Sequence, residues 1–330
     1  MPHPDRLHNW FGLAFGYRLN GAGGGTPIGW ADLVETAPAA QTWVHLDLRH
    51  PNAHRWLRED SALDPLTLEA LSTLTAGPRL ASGGEGLLLV LKGIDQRSTA
   101  ALGDMVTVRL WTDGRRLITC QRGRVRAIED LHAALRRGMG PAGIGTVVAE
   151  LADGLMTHID DVLEELQAAT RRLGQAGNRA RHPENLVAEL ATLRRRMILM
   201  RFHLTPQRRA LAQLAAVRHP WIDADARHLV REIADRCHHA AEGLAAAGEI
   251  TAITQDEILQ RSSETTERRV YSLTVITAIF LPLSFATGLL GVNLAGIPDA
   301  NDPLAFLILC LFLLLVALVQ LWLLRRKGWF

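Results

Sequence analysis

Apolar and polar positions fall into three regimes along the chain. Up to residue 142, short apolar runs alternate with turn residues. Residues 10–20 are apolar enough for a strand and end in the glycine run 21–25, which is expected to form a flexible loop. Residues 41–48 alternate like a half-buried strand, and 86–94 form a continuous apolar run suited to a central strand. Residues 51–60 and 65–73 suit short helices, the second opening after Asp64-Pro65. Residues 105–111 and 116–121 flank Thr112-Asp113-Gly114-Arg115, a hairpin signal of the Asp-Gly kind. Strands mixed with helices predict an α/β or α+β domain over 1–142.

The second regime, 143–270, has almost no strand pattern and a period near 3.6. Long amphipathic helices are expected at 147–173, 183–214 and from Asp225 onward, with breaks at 175–182 and 216–221. Arg194, Arg195 and Arg196, with Glu184 and Glu189, read as a solvated helix face. Nothing rich in Pro or Gly separates Glu249 from Tyr271, so the third helix is expected to continue unbroken into the final regime. Pro282 is its expected bend, because proline removes one backbone hydrogen bond.

That final regime, 271–330, is a hairpin of two spans. The first covers about 271–291 and the second 304–324; about 20 apolar residues suffice to cross a bilayer. The loop 292–303 carries Asp299 and Asp302 but no Lys or Arg. Arg268 and Arg269 precede the first span, and Arg325, Arg326 and Lys327 follow the second. The positive-inside rule therefore predicts a multi-pass protein of the cell (inner) membrane with both termini cytoplasmic and 292–303 periplasmic. Trp322 and Trp329 suit the cytoplasmic interface with membrane lipid.

Composition narrows the classes further. Of 330 residues, setting aside the two loop acids and three terminal bases leaves 33 basic and 32 acidic side chains, so no field attracts nucleic acid. Cys120, Cys237 and Cys310 show no CxxC spacing, which favours a reducing compartment. The start, MPHPDRLHNWFG, lacks the basic-then-apolar pattern of a cleavable signal peptide, so the spans themselves are expected to direct insertion. The glycine run is followed by Thr26-Pro27-Ile28 rather than a helix, unlike a dinucleotide fingerprint. Residues 1–142 hold no convergent catalytic constellation, so neither an enzyme nor a cofactor is expected. Adjacent residues on a helix point about 100° apart, so Cys237, His238 and His239 cannot form one ordinary zinc site. His158, His203, His219 and His228 remain possible partners in space.

The first span carries a stripe that a lipid-facing helix would not keep. Steps of three and four give Asp256, Gln260, Ser263, Glu267, Val270, Thr274, Thr277, Leu281, Ser284, Gly288 and Gly291. The seam is polar before the membrane, then hydroxyl-bearing and small within it. Two readings stand side by side. In one, Ser and Thr bond to the carbonyl one turn back and Gly permits close helix contact. In the other, the seam faces water on an axis shared by identical chains, because one two-span hairpin cannot enclose a pore. The second span has no such stripe and suits an outer, lipid-facing ring. In the ring reading, Asn293 side chains converge at the mouth and offer carbonyl oxygens to a hydrated cation, while Asp299 and Asp302 raise the local cation concentration.

Residues 280–293, FLPLSFATGLLGVN, resemble the end of the first span in CorA-type divalent cation channels, with Val292 where those carry methionine. The GVN triplet is similar to that of the ZntB branch. The segments TWVHLDLRHPNAHRWLRED, RLWTDGRRLITCQR and LHAALRRGMGP extend the resemblance over nearly the whole chain. It implies a homopentameric funnel with an α/β cytoplasmic domain, a long-helix bundle and two C-terminal transmembrane helices. By match to the motif, Gly291, Val292 and Asn293 take the entrance-filter role. Thr274, Thr277, Leu281, Ser284 and Gly288 would line the path, continued in the cytoplasm by Asp256, Gln260, Ser263 and Glu267. Asp256 falls where CorA relatives place a metal-sensing acid between subunits. The expected function is zinc transport, with Mg2+, Co2+, Ni2+ and Cd2+ as further cargo and proton coupling through Glu264, Glu267 or metal-bound water. The alternatives are a magnesium or cobalt channel of the CorA type, and a membrane-tethered sensor or enzyme.

Overall fold

The computed structural model describes residues 12–34, 40–73, 77–83, 85–97, 103–177, 183–290 and 303–326. The chain divides into two units, Met1–Asp256 and Glu257–Phe330.

In the first unit, seven strands form one sheet: β1 (Leu13–Leu19), β2 (Gly25–Pro27), β3 (Thr42–Asp47), β4 (Arg79–Gly83), β5 (Gly86–Ile94), β6 (Met105–Thr112) and β7 (Arg116–Gln121). Their order is β2-β1-β3-β7-β6-β5-β4, antiparallel except for the β3·β7 pair. The Asp-Gly signal does join β6 to β7. Asp113 Oδ1 accepts from the Arg115 and Arg116 amides at 2.8 and 2.7 Å, and Gly114 supplies the positive φ of 89°. The sheet departs from the sequence reading in three ways. Gly25 opens strand β2 on the edge of β1 instead of closing a loop. β5 lies one strand in from the edge, between β4 and β6, so its apolar run fits an interior but not a middle position. Above all, β3 is buried on both faces and does not alternate.

Both faces of the sheet are covered by helices. On one side Val44, Leu46, Trp111 and Ile118 meet α2 (Pro51–Glu59) and α3 (Pro65–Ser72) through Ala53, Leu57 and Leu71. Asp64 caps α3 by accepting from Leu66 and Thr67 amides at 3.1 and 3.0 Å, with Pro65 in the first turn where its missing N–H costs nothing. A short helix α1 (Trp30–Val34) precedes β3. On the other side Phe15, Trp43, Leu91, Leu110 and Leu117 share a larger core with α4 (Arg126–Arg136), α5 (Ile144–Gly177), α6 (Pro183–Ala216) and the start of α7 (Ala224–Leu290). The sequence reading missed α4, although Ala127, Ile128, Leu131 and Leu135 make one apolar face. Arg236 of α7 ties to α5 through Asp153 and Asp160 at 2.5 and 2.7 Å.

The second unit holds the rest of α7, helical through Pro282, and α8 (Pro303–Arg326). Both helices are long and apolar enough to cross a membrane. None of the most apolar stretch of α8 is buried within the chain, and only 6% of that of α7, unlike the core helix of a soluble domain, which is mostly buried.

Candidate functional site: the polar seam of α7

The seam is exposed throughout its described length. Asp256 closes the first unit with its side chain exposed. In the second unit, Gln260, Ser263, Glu267, Thr274, Thr277, Leu281, Ser284 and Gly288 are all exposed along one side of α7. Ser263, Glu267, Val270 and Thr274, with Thr266 and Tyr271, line a shallow groove of about 400 Å³. The opposite side of the helix is different. Val275 is buried, and Ile279, Leu283 and Ala286 are half-buried, again in steps of three and four. A matching half-buried stripe on α8 comprises Leu309, Leu313, Val316, Ala317, Gln320 and Leu324. These are the spacings at which two helices of a hairpin meet. The covered stripe thus leaves the hydroxyl-bearing seam turned away.

The two seam threonines already have a use for their hydrogens. Thr274 Oγ1 donates to the Val270 carbonyl and Thr277 Oγ1 to the Leu273 carbonyl, each at 2.8 Å. This is the local bonding that the sequence offered as the first of its two readings. It does not exclude the other, because a hydroxyl that donates backwards keeps acceptor capacity on its oxygen. An oxygen of that kind can accept from the water shell of a cation. Gly288 adds a second peculiarity: a Cβ there would meet nothing within 4 Å, so packing within the chain does not require glycine. Gln260 Nε2 donates to Glu264 at 3.4 Å, and Arg261 stands 3.8 Å from Glu257. At the far end of α8, Arg326 lies 5.4 Å from the centre of the Trp322 ring.

Gly291, Val292 and Asn293 lie outside the described residues, as do Asp299 and Asp302. Among the described residues, the histidines and Cys237 do not converge on a metal site. Cys237 is buried with its Sγ 3.4 Å from Met156 Sδ, while His238 and His239 lie 3.4 and 3.8 Å from Glu242 on the outer side of α7. His158 stands between Asp130 and Asp161, and His228 pairs with Glu232. Among the described residues, no group of three or more His, Cys, Asp or Glu is arranged to hold a metal ion.

A two-faced α/β unit followed by a pair of uncovered apolar helices is the arrangement of a protein held in a membrane. The family profile described as "CorA-like Mg2+ transporter protein" matches residues 39–326. The zinc transport protein ZntB of Pectobacterium carotovorum is 32% identical over 318 residues, 96% of each chain. The divalent cation transporter CmaX of Pseudomonas aeruginosa is 35% identical over 324 residues, 96% of this chain and 97% of that one. The structure of the full-length CmaX protein superposes with a TM-score of 0.82, covering 97% of this chain and 98% of the other. The CorA magnesium transporter of Methanocaldococcus jannaschii, at 16% identity, shares the fold with a TM-score of 0.81 over 96% and 98%. The chain belongs to the CorA family, in its ZntB branch. It is a divalent-cation transporter of the CorA/ZntB type and not an enzyme.

Proposed function

We propose that the chain assembles as a ring of five and conducts hydrated divalent cations along the α7 seam, with zinc as one cargo beside magnesium and cobalt. One observation carries the reading: the seam hydroxyls and Gly288 are exposed on the side of α7 opposite its covered stripe. Such a stripe facing lipid would waste acceptor oxygens, whereas on a shared axis it meets water. A broad cation range has more support than zinc alone, because the family profile is described for Mg2+ and one close relative is named for divalent cations generally. The spans, 271–290 and 304–324, hold no Asp, Glu or His to relay protons, which supports passive flow. A divalent ion entering an inside-negative cell gains about 4.6 kcal/mol per 100 mV, so passive flow runs inward.

In this reading Gly291, Val292 and Asn293 form the entrance filter, and the amide of Asn293 accepts from the hydration shell of the arriving ion. Asp299 and Asp302 concentrate cations outside, and Asp256 meets a metal between neighbouring chains on the cytoplasmic side. The chain then divides into a cytoplasmic α/β domain, 1–142, a helical stalk, 143–270, and the membrane hairpin, 271–330. The Arg326–Trp322 contact and the basic exit of α8 support cytoplasmic termini in the inner membrane. A second reading, proton-coupled zinc uptake, draws on the zinc-named relatives and on the exposed Glu264 and Glu267.

Flux into proteoliposomes, with zinc, magnesium and cobalt, tests both readings. The expected result is flux of all three that an imposed proton gradient leaves unchanged. Zinc flux that follows the gradient and ignores magnesium supports the second reading instead. Asn293→Ala is expected to cut flux at least about tenfold with the oligomer intact, equivalent to about 1.4 kcal/mol; unchanged flux removes Asn293 from the filter.

A further inference from the structure

Ion transport gives no role to the outer face of α6. Between residues 190 and 216 this helix holds six arginines and no Asp or Glu. Leu193, Met197, Met200 and Leu204 turn into the core, and Arg194, Arg195, Arg201, Arg208 and Arg209 are exposed. A solvated face accounts for the charges, but the structure sets large apolar side chains among the guanidiniums. Phe202 is 70% exposed, Ile198 57% and Leu199 54%. Ile198 and Phe202 stand one turn apart, opposite the buried stripe. A face meant only for water has no use for them, whereas protein interfaces are enriched in both arginine and aromatic side chains. Among the described residues, no carboxylate pairs with any of the five exposed arginines.

The complement lies on α5. Between residues 144 and 170 that helix holds six acids and no Lys or Arg. Asp153 and Asp160 are taken up by Arg236 of α7 at 2.5 and 2.7 Å. Asp161, Glu164 and Glu165 stay exposed within one turn of each other. Asp161 faces His158 at 3.5 Å, and Glu164 and Glu165 have no ion-pair partner among the described residues. With Gln167, Ala168 and Arg171, the three acids border a shallow recess of about 700 Å³, which has room for an aromatic side chain.

Within one chain α5 and α6 pack side by side, yet their charged faces both turn away from the core they share, and no described ion pair joins them. One helix therefore does not satisfy the other in the same chain. A second copy can do so. With α6 of one chain against α5 of the next, the contact is head-to-tail, and contacts of that kind generate rings. The self-matched pairings, α5 on α5 or α6 on α6, would set like charges against each other.

We propose that the outer face of α6 docks on the outer face of α5 in a neighbouring copy, with Phe202 seated in the recess and Arg195 and Arg201 paired with Glu164 and Glu165. The inference rests on the ring of identical chains proposed above and names the contact that joins neighbouring first units within it.

The chain has two lysines, Lys92 and Lys327, so a carbodiimide, which joins carboxylates to amines, can be aimed at one position. Arg195→Lys keeps the charge and supplies the amine. In the purified chain in detergent, carbodiimide is expected to give a ladder of joined chains on denaturing gels. Peptide mass spectrometry should place residue 195 against Glu164 or Glu165. The wild type treated in the same way gives the background, and Glu164→Gln with Glu165→Gln should remove the ladder. Charge reversal supplies a second measurement, the protein concentration at which half of the oligomer dissociates by light scattering. Arg195→Glu with Arg201→Glu is expected to raise that concentration at least about tenfold, as is Glu164→Arg with Glu165→Arg. The chain carrying all four changes should return to within about threefold of wild type. A ring with no crosslink and no response to charge reversal overturns the docking and leaves the ring reading standing, whereas a single chain by light scattering removes both. Weakening by the arginine changes without recovery in the fourfold variant assigns the face to another partner, such as anionic lipid, and also overturns the proposal.

Discussion

The two units cover their apolar surface in opposite ways. In the first, the chain does the covering itself: Trp43, Leu91, Val108 and Leu117 are inaccessible, and even polar His45 and Thr119 are buried against each other. In the second, Leu273, Phe280, Phe285, Leu314 and Trp322 are each more than half exposed. An isolated helix pair cannot hide such a surface in water. What covers it must come from outside the chain, as lipid and, in the proposed ring, as further copies. Stability in the first unit is therefore written in its own side chains, whereas the second depends on its surroundings.

The sharpest way to break this contrast is a matched pair of truncations. Trp43→Ala deletes a side chain that is 0% exposed and leaves Thr119 without its indole donor, at a cost of about 3–5 kcal/mol. Leu314→Ala removes a side chain from a residue 57% exposed and should cost under about 1 kcal/mol in detergent. Denaturation followed by a first-unit signal checks both. Equal losses would mean that α8 is covered by the chain after all.

Acid sharpens the same contrast, because the described buried titrating groups that shift most lie in the first unit. His45 has a pKa of about 3 when folded, against an ordinary 6.5. Burial lowers it most, with Asp47 acting upward and His132 downward. Between those values the unfolded chain holds a proton that the folded chain does not. The contribution is complete above about pH 6.5 and is lost as pH falls towards 3, up to about 5 kcal/mol in all. Asp95 and Asp113 act with the same sign at lower pH. Burial pushes both carboxyls up, but hydrogen bonds from Arg97 to Asp95, and from the Arg116 and Arg115 amides to Asp113, outweigh it. Denaturation midpoints should fall from pH 7 to pH 4, and His45→Phe should flatten the upper part of that slope. A wild-type slope equal to that of the variant would refute the assignment to His45.

How legible each unit was follows from the same physics. The membrane hairpin and the long helices could be read directly, because uninterrupted apolar runs and a sustained period near 3.6 are strong local signals. The seam was also readable, as hydroxyls at steps of three and four in an otherwise apolar span. The sheet was readable in its strands but not in its order. β3 looked half-buried because His45 and Thr42 are polar, and nothing local announces that Thr119, some seventy residues on, makes a buried histidine tolerable. The short edge strands β2 and β4 owe their existence to pairing partners rather than to their own pattern.

A third test compares the two faces of the hairpin. Thr277→Phe puts a large ring on the exposed seam and is expected to reduce cation flux at least about tenfold. Leu311→Phe makes a similar change on the exposed side of α8 and should leave flux within about twofold. Comparable losses from both would place the conducting surface elsewhere.

The smallest expected effect asks most directly whether another chain lies against α7. At both Gly248 and Gly288 a Cβ would meet nothing within 4 Å. If the chain stood alone, alanine at either site would add up to about 1 kcal/mol of helix stability, through the backbone freedom that glycine loses. Gly248 lies in the first unit, before the apolar span, and Gly248→Ala is expected to behave in that way. Gly288 lies on the seam within the span, where small residues allow helices of neighbouring chains to approach closely. Gly288→Ala should therefore lower the flux two- to threefold, by about 0.5 kcal/mol, or loosen the oligomer on native gels, despite its better helix propensity. Stabilisation at both positions with flux unchanged would mean that the glycine on the seam answers to no neighbour, and that the seam hydroxyls serve only their own helix.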